Sequence, residues 1–196
     1  MRMKPEALLI GAMAVFAATG ITAAVVLDRD ASPPDRLGGR PDASDPEEAA
    51  AWFRGNADEC TPERVDGLLS TDPAPPTLEG TWYEAACLAL AAQTSKARRA
   101  IDGLPESERG RAADVVFAAG HPRADQGDEL AVGPLMELVV EYRPDQYMAL
   151  YHAGAAASQR GDERAVRRYL GRFLEVYGFE DGWRANARTM LERIDR

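Results

Sequence analysis

Cysteine, histidine and lysine are each represented twice in the 196 residues: Cys60 and Cys87, His121 and His152, Lys4 and Lys96. Two cysteines rule out a zinc site with four thiolate ligands. A mixed set of both cysteines and both histidines is arithmetically available, but the spacings match no finger or knuckle, so no metal is expected. The positive charge is almost all arginine, and acids outweigh it to leave a net charge of −9. Phosphate backbones demand a basic surface, which argues against nucleic acid as a partner. There is no G-x-S-x-G, no P-loop, no H-E-x-x-H and no pair of carboxylates placed for acid–base work, so neither an enzyme nor a bound cofactor is expected. Strand-like alternation of any length is missing too, which leaves helices. Hydrophobic residues make up 45% of the chain and aromatics only 7%. Much of the apolar fraction is alanine, which favours helix and close helix packing.

One apolar run stands out. Ala7 to Leu27 is 21 residues without a charge, and as a helix it would span about 31 Å, the thickness of a bilayer core. Arg2 and Lys4 precede it, and Asp28, Arg29 and Asp30 follow. That bias predicts a cytoplasmic N-terminus and an extracytoplasmic body. A cleavable signal peptide is the alternative: Thr22-Ala23-Ala24 offers a small-x-small site, although Val25-Val26-Leu27 prolongs the run past it. Ala14 and Ala18, and Gly20 and Ala24, are small residues four apart that could seat a second helix, as in a homo-oligomer. Residues 1–27 are therefore read as an anchor. Residues 28–44, rich in Pro, Gly, Asp and Arg, read as a flexible tether with a reach of roughly 20–25 Å.

The folded body is expected from Asp45. Asp45-Pro46-Glu47-Glu48 is a helix start, with an aspartate cap and proline at the first helical position. Trp52 and Phe53 lead its apolar face. A second start is predicted at Thr61-Pro62-Glu63, running into Val65, Leu68 and Leu69 and stopped by Asp72 to Pro76. Residues 45–78 thus form an N-terminal capping helix pair. Beyond it the sequence repeats. Gln93, Gly127 and Gly161 lie 34 apart, and Asp128 and Asp162 follow the two glycines. Four residues after each aligned position stand Ala97, Ala131 and Ala165, and eight after stand Ile101, Leu135 and Tyr169. Upstream, the small pairs Ala85-Ala86, Ala119-Gly120 and Ala153-Gly154 fall in register, with Trp82, Val116 and Leu150 before them and an aromatic column of Tyr83, Phe117 and Tyr151. Within the second unit, Gly120-His121-Pro122 reads as a helix stop.

This pattern resembles the tetratricopeptide repeat (TPR). Its features are a bulky residue, a small pair, a Gly-Asp turn, an inward alanine on the second helix and a closing proline, here Pro144. The resemblance covers residues 79–180 as three repeats and implies an all-α solenoid of helical hairpins. Residues 181–196 read as a C-terminal capping helix with Trp183, Met190, Leu191 and Ile194 inward. In such arrays the first helices line a concave face that binds peptide segments. The resemblance therefore places Tyr83, Glu84, Cys87, Phe117, His121, Tyr151, His152 and Gln159 near a groove, where aromatic rings could anchor an apolar peptide or merely pack between repeats.

The remaining residues have plainer readings. An exported cysteine pair is expected to form a disulfide, Cys60–Cys87, that staples the capping pair to the first repeat; two buried thiols are the alternative for a cytoplasmic body. His121 reads as a loop or helix-end residue and His152 as partly exposed. Lys96 to Arg99 and Arg164 to Arg172 read as solvated outer faces. Asp128-Glu129 and Asp162-Glu163 suit helix N-termini. The functional expectation is a membrane-tethered scaffold or adaptor for a protein or peptide partner, with a self-associating structural protein as the alternative.

Overall fold

The structure, a computed structural model, describes residues 46–195. The expected membrane segment, the tether and the Asp45 cap lie outside the described residues. Among those described, all regular structure is helical: nine α-helices and one 3₁₀ turn, with no strand. No described helix is long and apolar enough to cross a membrane.

The first helix, α1 (Pro46–Asn56), opens on proline, whose fixed φ and missing N–H suit that position. It buries Ala49 and leaves Trp52 and Phe53 half-buried. A 3₁₀ turn (Ala57–Glu59) leads to Cys60. The predicted start at Thr61 is a turn, whose carbonyl accepts from the N–H groups of Arg64 and Val65. Helix α2 (Val65–Thr71) follows and ends before the prolines, as expected. Trp52 Nε1 donates to the Asp72 carbonyl at 3.1 Å and Asn56 Nδ2 to the Asp72 carboxylate at 3.0 Å, tying the end of α2 back to α1. Cys60 and Cys87 are joined as a disulfide, with their Cα atoms 4.9 Å apart. The bridge links this N-terminal segment to the next helix, as the sequence suggested.

Three hairpins follow: α3 (Leu78–Leu90) with α4 (Thr94–Asp102), α5 (Glu106–Asp125) with α6 (Glu129–Tyr142), and α7 (Tyr147–Arg160) with α8 (Glu163–Val176). The last helix is α9 (Gly182–Ile194). All three hairpin turns close in one way. The residue at the bend has positive φ: Ala92 (57°), Gly127 (88°) and Gly161 (73°). The N–H of the next residue then reaches back five positions, Gln93 to Leu88, Asp128 to Arg123 and Asp162 to Ala157, at 2.9–3.2 Å. These are the left-handed closures that satisfy orphan carbonyls at helix ends. In the first hairpin the bend falls on Ala92, one residue before the aligned Gln93.

Each helix packs on near neighbours in the chain: α3 on α1, α4 and α5; α6 on α5 and α7; α7 on α6, α8 and α9. Small residues set the spacing. A Cβ on Gly120 would meet Leu135 Cδ2 at 2.6 Å, and one on Gly154 would meet Leu170 Cδ2 at 2.4 Å. These equivalent positions let α5 and α7 touch their partners α6 and α8. Ala85 and Ala153 are fully buried, whereas Ala119 is only half-buried.

Three expectations are corrected. Helix α5 runs through Gly120-His121-Pro122 to Asp125. Proline removes only the bond to the Ala118 carbonyl, and Ala118 is on the exposed side of the helix, where water can replace it. Ala131 is exposed rather than inward. The close approach of α6 to α7, where a Cβ on Gly133 would meet Ala156 Cβ at 2.5 Å, turns Val132 and Gly133 inward and Ala131 outward. In α9 the fully buried residue is Ala187, while Trp183 stays 38% exposed. Met190, Leu191 and Ile194 are half-buried.

Several of the basic residues pair with acids, most of them on neighbouring elements. Arg98 grips Glu141 through two bonds of 2.5 and 2.7 Å, and Lys96 meets Asp66 at 2.6 Å. Arg160 meets Glu137 at 2.6 Å, and Arg172 pairs with both Asp145 and Glu175. Exposed pairs of this kind contribute about 0–1 kcal/mol each.

Candidate functional site

The aromatic column predicted to face a groove is spread over α3, α5 and α7, and the structure treats its members differently. Tyr83 is half-exposed, with its ring 5.4 Å from Phe53 of α1. Beside it Glu84 is half-buried, and desolvation raises its carboxyl above the usual value. Phe117 is also half-exposed, its ring 4.7 Å from that of His121. Tyr151 is 4% exposed. Trp183 of α9 lies edge-on over it at 4.7 Å, and Asn186 donates to its hydroxyl at 3.3 Å. Burial raises the phenol's pKa, with the Glu129 charge adding to the effect. Gln159 is exposed near the end of α7. The sequence could not show that α9 folds back over α7, and that covering removes Tyr151 and His152 from any open surface.

His152 is the larger correction. Expected at the surface, it is fully buried. Alanines and Gly154 surround it on α7, a helix packed by α6, α8 and α9. Its Nδ1 lies 3.0 and 3.1 Å from the two carboxylate oxygens of Glu129. Glu129 opens α6, where negative charge suits the helix dipole, and its side chain is only 13% exposed. The histidine therefore holds a largely buried carboxylate rather than presenting itself to solvent.

His121 belongs to this same group. The continuation of α5 through Pro122 carries it to within 5.2 Å of the His152 ring, edge to face. Its Nδ1 is 3.5 Å from Asp125 Oδ2, one helical turn further on. The Nε2 atoms of both histidines are buried and have no hydrogen-bond partner among the described residues. One donor atom from each of His121, Asp125 and His152 lies within 4.8 Å of the others. Phe117, Tyr151 and Trp183 provide aromatic walls, with Tyr151 5.4 Å and Trp183 6.0 Å from the His152 ring. Asp125 and Glu129 were not singled out for such a role by sequence. One local cue existed: His121 and Asp125 are four apart and so share a helix face if the helix continues.

A second aromatic group is open to solvent. Tyr147, Phe179 and Trp183 are 43%, 67% and 38% exposed, and Tyr147 and Phe179 both contact the Tyr177 ring. No family model, no curated protein and no solved structure matches the chain.

Proposed function

We propose that the chain is a membrane-tethered adaptor, related to TPR proteins in architecture, that holds a peptide segment of another protein against α3 and α5. The observation that carries this reading is the pair of half-exposed rings, Tyr83 and Phe117. They stand 34 positions apart in the sequence, on two helices packed against each other. A segment bearing an apolar side chain would anchor against these rings, with Glu84 beside them to select a donor or a cation. The shared closure of the three turns supports a repeated unit. The disulfide supports an oxidising, extracytoplasmic setting for the body.

The test is site-specific photocrosslinking from full-length protein in its own membrane. A photoreactive residue at Tyr83 or Phe117 should capture one discrete protein, and one at exposed Arg164 on α8 should not. Equal capture from all three positions would refute the groove. Capture of a second copy of the chain alone would favour the self-associating structural protein. A reporter fused after Arg196 fixes the compartment, and cytoplasmic activity there would overturn the topology.

A further inference from the structure

We propose that His121, Asp125 and His152 form a binding site for one divalent transition-metal ion of the zinc class, with Glu129 positioning His152. The donor set is two imidazoles and a carboxylate, the mixture such ions accept, with a fourth position open to water. The donor atoms already lie within 4.8 Å of one another. Tetrahedral coordination at about 2.0–2.1 Å needs ligand atoms roughly 3.4 Å apart, so modest side-chain rotation about the ion completes the site. No backbone rearrangement is required, because His121 and Asp125 share one turn of α5 and His152 faces them from α7.

Three further observations point to a ligand rather than to a packed core. His152 is fully buried, yet its Nε2 has no partner among the described residues. A buried polar atom left this way destabilises the fold unless a ligand satisfies it. Second, its other nitrogen is fixed by the Glu129 carboxylate at 3.0 Å. Carboxylate–histidine pairs of this kind hold the ring in the tautomer that turns its free nitrogen to a metal. Third, two acidic side chains, Asp125 and Glu129, stand at the site to complement a divalent cation. Phe117, Tyr151 and Trp183 enclose the histidine side, while Asp125 is on the exposed side and gives an entry route.

The chain suits a clean test. Both of its histidines are in this site and both of its cysteines are in the disulfide, so no other imidazole or thiolate competes. Full-length protein, purified in detergent with a tag that lacks histidine, would be titrated with cobalt(II) and read by its visible d–d absorption, then displaced with zinc. One equivalent should bind with micromolar or tighter affinity. His152→Ala opens a cavity in the core, so the decisive variants are His121→Ala and Asp125→Ala on the accessible side, with helical circular dichroism as the folding control. Each should weaken binding by about 100-fold or more. Glu129→Gln should weaken it about 10–100-fold. No d–d band from wild-type protein at millimolar cobalt would overturn the proposal, as would His121→Ala binding as tightly as wild type.

Discussion

Among the described residues, Ala92 is the one non-glycine residue with a positive φ. Its φ of 57° is where the other two hairpins place glycine, and a Cβ in that region costs roughly 1–2 kcal/mol. Replacing Ala92 by glycine should therefore raise stability by about 1 kcal/mol after the added freedom of the unfolded chain is counted. Urea denaturation would show it as a higher midpoint with unchanged slope. Asp181 supplies a pH-dependent contact. It caps α9 by accepting from the Trp183 and Arg184 N–H groups at 3.0 and 3.2 Å. Hydrogen bonding from the Tyr177 hydroxyl, followed by these backbone donors, lowers its pKa below the ordinary 3.8, and the same bond pushes Tyr177 up to about 12. A depressed carboxyl stabilises the native state fully above 3.8 and loses that contribution as the pH falls through the lower native value. Acid titration followed by Trp183 fluorescence, in protein with Trp52 and Trp82 replaced by Phe, should show α9 loosening in that window. Asp181→Asn should remove the step. Residue identities alone hid the most informative group at this scale. His121 and His152 are 31 apart and out of register with the 34-residue spacing, so only the tertiary fold, in which α5 and α7 both pack on α6, brings their rings together.

Helices were far more legible than side-chain contacts. The Gly-Asp turns, the prolines after Thr71 and the small-residue columns each mark a boundary or a contact that the structure contains. Expectation and structure part where solvent or a neighbouring element overrides a local signal. Local sterics at Pro122 predict a stop, yet a proline near the end of a helix costs a single bond when the freed carbonyl faces water. Register alone puts Ala131 inward, whereas the approach of α7 turns that face of α6 outward. The small columns give a direct test. Gly154→Ala improves intrinsic helix preference by about 1 kcal/mol, but its Cβ would sit 2.4 Å from Leu170 Cδ2. Overpacking of this kind costs about 1–3 kcal/mol, so the variant should be no more stable than wild type and up to about 2 kcal/mol less stable. Gly171→Ala, with no atom within 4 Å of its Cβ, should instead gain about 1 kcal/mol. Paired denaturation curves of the two variants separate packing from propensity.

For the molecule as a whole, the disulfide is the main covalent constraint, and its partners are 27 positions apart. Removing it as Cys60→Ala with Cys87→Ala should lower unfolding free energy by about 3–4 kcal/mol on the chain-entropy account, read as a fall in denaturation midpoint. The helical class and the order of hairpins could be read from periodicity because each hairpin is built from two helices adjacent in the chain. The closure of α9 over Tyr151 could not, since nothing in a 34-residue spacing says how the last unit ends. That locality has a bearing on assembly. Both sulfurs belong to the earliest-made part of the body, upstream of Leu90, and Cys87 sits on α3, which the following hairpin then covers. Where the body is made in an oxidising compartment, the bridge can thus close before the second half of the chain has emerged. The bonded α3 then offers a ready template for α5, so maturation would advance from the N-terminal side and finish when α9 settles.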